Sequence, residues 1–154
     1  MFKYLLFLLP CLAQAELITS FGAGKGIFNE TPFERVASLG EQFNVSDNFF
    51  LRPEVGYFNA NNIGQSSAWY SALLGVQVNT QSGLNTHLAI GPSYLQTPDT
   101  ILGGPFQFSS EIGLGLQDKV MNIGVAFKHL SSAGIELPNS GRDFIVLQLG
   151  LKGL

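Results

Sequence analysis

The sequence predicts an all-β fold, an eight-stranded antiparallel up-and-down transmembrane β-barrel, and three observations carry that expectation. Only 12% of the 154 residues are charged, against roughly 25% in an ordinary soluble domain. After the short apolar run of the N-terminus, no later stretch reaches the ~18 consecutive apolar residues of a membrane helix. Eight segments of alternating apolar and polar texture fill the chain instead, separated by turn-forming clusters. A chain so poor in charge makes a poor water-facing surface, and with no helical span it must cross a bilayer as a closed set of strands.

The leader comes first. In "MFKYLLFLLPCLAQA", Lys3 supplies a positive start, Tyr4 to Leu12 a short apolar run, and Ala13-Gln14-Ala15 a small-x-small cleavage site. Residues 1–15 therefore read as a secretory signal peptide and residues 16–154 as one barrel domain. Cys11 is the only cysteine and departs with the signal, which leaves neither a disulfide nor a thiol nucleophile. A lipid anchor on Cys11 is the competing reading, disfavoured by Pro10 immediately before it.

The strands follow at roughly 16–28, 33–43, 48–58, 66–79, 84–95, 106–117, 119–131 and 143–153. The breaks "NETP", "NVSDN", "NANNIGQ", "TQSG", "QTPDTILGGP", "QD" and "SAGIELPNSGR" hold the residues that turns require. Short and long connections alternate in the second half, as they do when one rim carries tight turns and the other carries functional loops.

Parity sorts the faces. In the fourth strand Tyr70, Ala72, Leu74, Val76 and Val78 oppose Ser71, Gly75, Gln77 and Asn79; in the eighth, Ile145, Leu147, Leu149 and Leu151 oppose Val146, Gln148, Gly150 and Lys152. The third sets Val55 and Tyr57 against Arg52, Glu54 and Gly56, and the sixth sets Ile112, Leu114 and Leu116 against Glu111, Gly113 and Gly115. Parity alone does not say which face is outside, and a soluble lipid-binding barrel would turn the apolar face inward. The membrane orientation is favoured by the few polar-face charges, by glycines suited to a narrow packed lumen, and by the lack of disulfides. Arg52, Glu54, Glu111 and Lys128 would then pair inside the barrel as an ionic plug.

One stretch breaks the apolar row. Stepping by twos along the seventh strand, Met121, Ile123, Val125 and Phe127 are followed by His129 and Ser131. With the N-terminus at the periplasmic side, that strand runs outward, so His129 and Ser131 project toward lipid near the external rim. Asp143 shares parity with lipid-facing Ile145 and Leu147 at the top of the next strand. Residues i and i+2 on a strand lie about 7 Å apart and opposed cross-strand residues about 5 Å, so the imidazole is in reach of both neighbours. A serine hydroxyl needs a base to take its proton, and a carboxylate can hold the imidazole in the required tautomer. The alternative is that interfacial His, Ser and Asp merely meet lipid headgroups.

The segment "HLSSAGIELPNSGRD" resembles the active-site segment of the outer-membrane lipid A 3-O-deacylases, approximately H-x-S-N-A-G, a short loop with P-N-x-G, then an acidic residue. His129, Ser131, Ala133, Gly134, Pro138, Asn139 and Gly141 fall in register. The likeness runs from about Phe106 to Asp143 and is only architectural before that. It implies a bacterial outer-membrane barrel, reached by export through a cleaved signal. It also implies a Ser131-His129-Asp143 triad on the outer wall, hydrolysing the ester-linked 3-hydroxyacyl chain at position 3 of lipid A. Two residues depart from the pattern: Asp143 stands for the usual Glu, one methylene shorter, and Ser132 for the usual Asn. Oxyanion donors are expected from the backbone N–H of Gly134 and the side chain of Asn139, with Gly134 alternatively a plain turn residue.

No cofactor or metal is expected. The expected partners are lipid A or lipopolysaccharide as substrate and outer-membrane lipid, with a homodimer left open. Nucleic acid is disfavoured by a net charge of -3 and the lack of a Lys/Arg cluster. Arg142 is a candidate phosphate contact, against the plainer reading of a snorkelling rim arginine. "GAGKG" from Gly22 to Gly26 lacks phosphate-loop spacing and a following helix, so its glycines read as tight strand curvature. His87 is expected to make a lumen hydrogen bond. Trp69 and the phenylalanines are expected as girdle and lipid contacts. The C-terminal "LKGL" lacks the terminal aromatic common in outer-membrane barrels. The rival function is a non-catalytic barrel serving adhesion or envelope integrity.

Overall fold

The computed structural model describes residues 15–24, 34–59, 65–97 and 101–153. Eight strands follow one another: β1 (Ala15–Gly24), β2 (Glu34–Asn44), β3 (Phe49–Asn59), β4 (Ser67–Asn79), β5 (Leu84–Leu95), β6 (Phe106–Gln117), β7 (Met121–Ser131) and β8 (Arg142–Lys152). Each pairs antiparallel with its chain neighbours, and β8 closes on β1 from Glu16↔Lys152 to Gly24↔Phe144. The architecture is the closed up-and-down barrel that the alternation predicts. Expected and observed strands agree closely in the middle of the chain. The main differences lie where β1 meets residues 25–33, which are outside the described set, and where β7 begins. There, Asp118 Oδ1 accepts the backbone N–H groups of Val120 and Met121 at 2.7 and 2.8 Å, which folds 118–120 into a turn. Those two bonds hold the Asp118 carboxyl below its usual range. The expected signal peptide also lies outside the described residues, apart from Ala15.

The tight turns at 45–48, 80–83 and 118–120 share one rim with the start of β1 and the end of β8, and the strand ends that bound the other four connections, longer in sequence, share the other. That asymmetry gives the periplasmic and external rims of an outer-membrane barrel. Leu74, Leu114, Val125, Ile145 and Leu147 are exposed on the wall, whereas polar and charged side chains fill the lumen. This is the inside-out distribution a bilayer demands, because lipid does not penalise exposed leucine and no water is present to solvate charge.

The lumen is layered. Near the periplasmic rim, carboxamides bond to one another, as Gln42 Nε2 does to Gln77 Oε1 at 3.0 Å and Asn85 Nδ2 to Asn79 Oδ1 at 2.5 Å. In the middle, Arg52 Nη2 meets Glu111 Oε1 at 2.5 Å, and Lys128 Nζ meets Glu54 Oε1 at 2.5 Å and Glu111 Oε2 at 3.2 Å. The expected ionic plug is formed by these four residues. His87 joins it through Nε2 to Glu111 Oε1 at 2.8 Å, the lumen hydrogen bond expected of it.

Above the charges lies an apolar cap of Phe58, Trp69, Leu95, Leu102, Leu130 and Phe144. This corrects the expectation that Trp69 and the phenylalanines lie in the lipid girdle. Trp69 is fully buried, and Phe50, Phe58 and Phe144 join it inside, while Phe21, Phe49 and Phe106 do face outward. Strand parity already opposes Trp69 to Tyr70, and glycine supplies the room. A Cβ at Gly56 would lie 2.1 Å from the Trp69 ring. The glycine-rich face is therefore where large side chains fit. Arg142 is also inside, paired with Glu34 and 4.6 Å over the Phe58 ring, so it does not reach a phosphate on the outer wall. Of the "GAGKG" stretch, Gly24 abuts the Asp143 carbonyl, whose oxygen would lie 1.7 Å from an added Cβ. Close approach of β1 to β8 explains glycine there.

Candidate active site

The registers of β7 with its two neighbours build the site. His129 pairs directly with Asp143 on β8, and Ser131 with Phe108 on β6. His129 Nδ1 lies 2.7 Å from Asp143 Oδ1, with the carboxylate side chain 4% and the imidazole 30% exposed. The shorter acid therefore needs no bridging water, because cross-strand pairing already brings the two backbones together. With Nδ1 occupied, Nε2 is the ring nitrogen left to take a proton. Ser131, two residues farther out on the same face, is half-buried. Among the described residues no hydrogen bond joins its hydroxyl to the ring. One rotatable bond governs that hydroxyl, and such contacts commonly tighten only with substrate in place.

The next residues fold the β7–β8 loop back over this pair. Ile135 N–H donates to the Ser132 carbonyl at 3.0 Å, with φ of 54° at Ala133 and 81° at Gly134. Two successive positive φ values make a type I′ turn. Gly134 suits it without strain, whereas Ala133 bears about 1–2 kcal/mol. Among the described residues the Gly134 N–H has no hydrogen-bond partner. Ser132, the departure from the family pattern, is fully buried and pins the loop: its N–H donates to Asn139 Oδ1 and its hydroxyl to the Glu136 carbonyl, each at 2.9 Å. Asn139 thus spends its oxygen on the loop and keeps its amide N–H groups.

Gly141 is the residue that spacing alone did not single out. Its φ is +69°, and an added Cβ would lie 2.7 Å from His129 Cε1. It lies against the imidazole at the entry to β8. The P-N-x-G match is the signal that marks it. Residues 101–104 of the β5–β6 connection, which pack on this loop, carry no local signal, because the contact forms only once β6 and β7 pair. Beneath the His129–Asp143 row, an open apolar groove of about 640 Å³ crosses the wall from β8 to β4, with Ile112, Phe127 and Ile145 in its first row.

The lipid A 3-O-deacylase (PagL) family profile matches residues 57–152, more than half of the chain. Lipid A deacylase PagL of Bordetella bronchiseptica is 44% identical over 50 residues, 32% of this chain and 28% of that protein. The crystal structure of the outer membrane enzyme PagL superposes with a TM-score of 0.66 at 17% identity, covering 88% of this chain and 98% of that one. Neisserial surface protein A gives 0.60 at 7% identity, covering 90% and 96%. At such identities these two structures speak to the fold, and the profile speaks to descent. The chain belongs to the lipid A 3-O-deacylase (PagL) family.

Proposed function

We propose that the protein is a lipid A 3-O-deacylase working as a serine esterase, exported through a cleaved leader at 1–15 and resident in the bacterial outer membrane. The observation that carries this reading is the 2.7 Å His129–Asp143 contact on the lipid-facing wall, with Ser131 next along the same row. His129 Nε2 takes the Ser131 proton as the hydroxyl oxygen attacks the ester carbonyl at position 3. Asp143 holds Nδ1–H and stabilises the imidazolium. The tetrahedral intermediate collapses as His129 returns the proton to the departing sugar oxygen. Water, deprotonated by the same histidine, then releases the 3-hydroxy fatty acid. The Gly134 N–H and the Asn139 amide are the donors proposed for the oxyanion. The apolar groove below suits an acyl chain, and the headgroup then lies at the external rim.

The test is expression in a bacterium with intact lipid A, followed by mass spectrometry of the extracted lipid. The expected result is loss of one 3-hydroxy fatty acid. Ser131→Ala should reduce deacylation by at least ~10³-fold. Unchanged lipid A beside folded wild-type protein would refute the reading and favour a non-catalytic barrel.

A further inference from the structure

A second set of contacts at the external rim lies outside the triad and links β6 to the active-site loop. Gln107, 2% exposed, donates its side-chain amide to the carbonyls of Leu102 at 3.2 Å and Gly104 at 2.7 Å. Both amide hydrogens are thereby spent on fixing 102–104. Leu102 is itself fully buried in the apolar cap, beside Leu130 and Phe144. The strap so anchored carries the β7–β8 loop. Ser140 N–H donates to the Ile101 carbonyl at 3.1 Å. At Gly103, with φ +87°, an added Cβ would lie 2.7 Å from the Pro138 carbonyl, and Gly104 packs against the Glu136 side chain. On the far side of the loop, Asn139 Oδ1 holds the Ser132 N–H. A continuous path therefore runs from Gln107 through 101–104 to Asn139 and Ser132, the neighbour of Ser131.

From this path we infer that Gln107 is a positioning residue for the deacylation reaction. It holds the β5–β6 strap that fixes the β7–β8 loop, and with it the oxyanion donors, relative to Ser131. The inference rests on the serine-esterase reading above. Its physical basis is that donors stabilise a developing oxyanion only when held in place beforehand, whereas loops are otherwise the mobile part of a barrel. A buried carboxamide with two loop carbonyls on its nitrogen is a rigid means of doing so. The effect falls on the transition state rather than on ground-state binding, so it belongs in kcat and not in KM.

Gln107→Met keeps the length of the side chain and removes both donors. The expected result is a roughly tenfold or greater fall in kcat on lipid A, KM within about twofold, and faster amide hydrogen exchange at 132–141. Adding Ile101→Cys and Ser140→Cys to that variant ties the two loops independently of Gln107. Oxidation should restore kcat and slow the exchange, and reduction should undo both. Unchanged kcat in Gln107→Met overturns the inference whether or not exchange quickens, and so does a loss of kcat that the oxidised cross-link leaves uncorrected. If the folded wild type fails to deacylate, the esterase reading fails instead. Exchange unaltered by Gln107→Met would then separately refute the hold on the loop.

Discussion

Lys128 and His129 are adjacent on one strand and face opposite ways, and the two sites they belong to have similar chemistry with opposite consequences. Inside, Lys128 joins Arg52, Glu54, Glu111 and His87 in a buried network in which Lys128 meets both carboxylates. Outside, His129 has one carboxylate, on one nitrogen, and the ring is 30% exposed. The inner set spends its charges on one another, as buried ions must when no water can solvate them. Among the described residues the outer pair leaves Nε2 without a hydrogen bond, on the face of the wall that also carries Ser131. Clustered ionisable groups do not by themselves make an active site. What separates the two clusters is a ring nitrogen that, among the described residues, has no partner and lies on the lipid-facing wall.

Breaking the outer pair should have the largest effect. Asp143→Asn keeps the shape of the acid but can present an amide N–H to His129 Nδ1, which favours the tautomer with its proton on Nε2. That nitrogen then cannot accept the Ser131 proton. Deacylation should fall by about 10²–10⁴-fold with the barrel intact, by analogy with the wrong-tautomer defect of serine proteases. The check is kcat/KM on purified lipid A together with heat-modifiable migration of the variant. Retention of full activity would remove Asp143 from the mechanism and leave a Ser-His pair.

A smaller effect comes from moving the ring without changing its partner. Gly141→Ala places a methyl group 2.7 Å from His129 Cε1 at a backbone φ of +69°, so either the loop or the imidazole must shift. Displacement on the order of 1 Å can cost up to ~10²-fold in rate, and a roughly ten- to hundredfold loss of kcat is expected. Gly134→Ala is the control. Its φ of +81° carries similar strain, yet nothing lies within 4 Å of the added Cβ, and the backbone N–H is retained. Equal losses in the two variants would mean that loop strain, rather than ring contact, sets the rate.

How far the sequence reveals these features follows from the range of the forces involved. The strands were legible because each face has a constant environment, so period two persists over ten residues. The outward placement of His129, Ser131 and Asp143 followed from the same parity. Trp69 departs from the girdle that aromatic type suggests, because its parity with Ser71 puts it inside, where Gly56 makes room. The inward side of Arg142 follows from the same parity, which it shares with Val146 and Gln148, whereas its pairing with Glu34 on the far side of β1 depends on β8 closing on β1. The hold of 101–104 on the β7–β8 loop is likewise a contact between distant loops. Neither contact has a periodic trace, because each joins residues far apart in sequence that meet only in the folded barrel.

The inner cluster gives the last and, for activity, smallest expected effect. Lys128→Met leaves Glu54 and Glu111 facing each other with only Arg52 and His87 to offset them. Removing one member of a buried ionic set typically costs about 3–5 kcal/mol, because the remaining charge is stranded rather than merely unpaired. Urea unfolding followed by the gel shift of the heat-modifiable form should register this as a clear loss of stability. Deacylation by the fraction that stays folded should remain within about twofold of wild type, because Lys128 projects away from the wall that carries Ser131. A rate loss comparable to that of Asp143→Asn in fully folded protein would mean the two faces of β7 are coupled through the strand, and the distinction drawn between the clusters would fail.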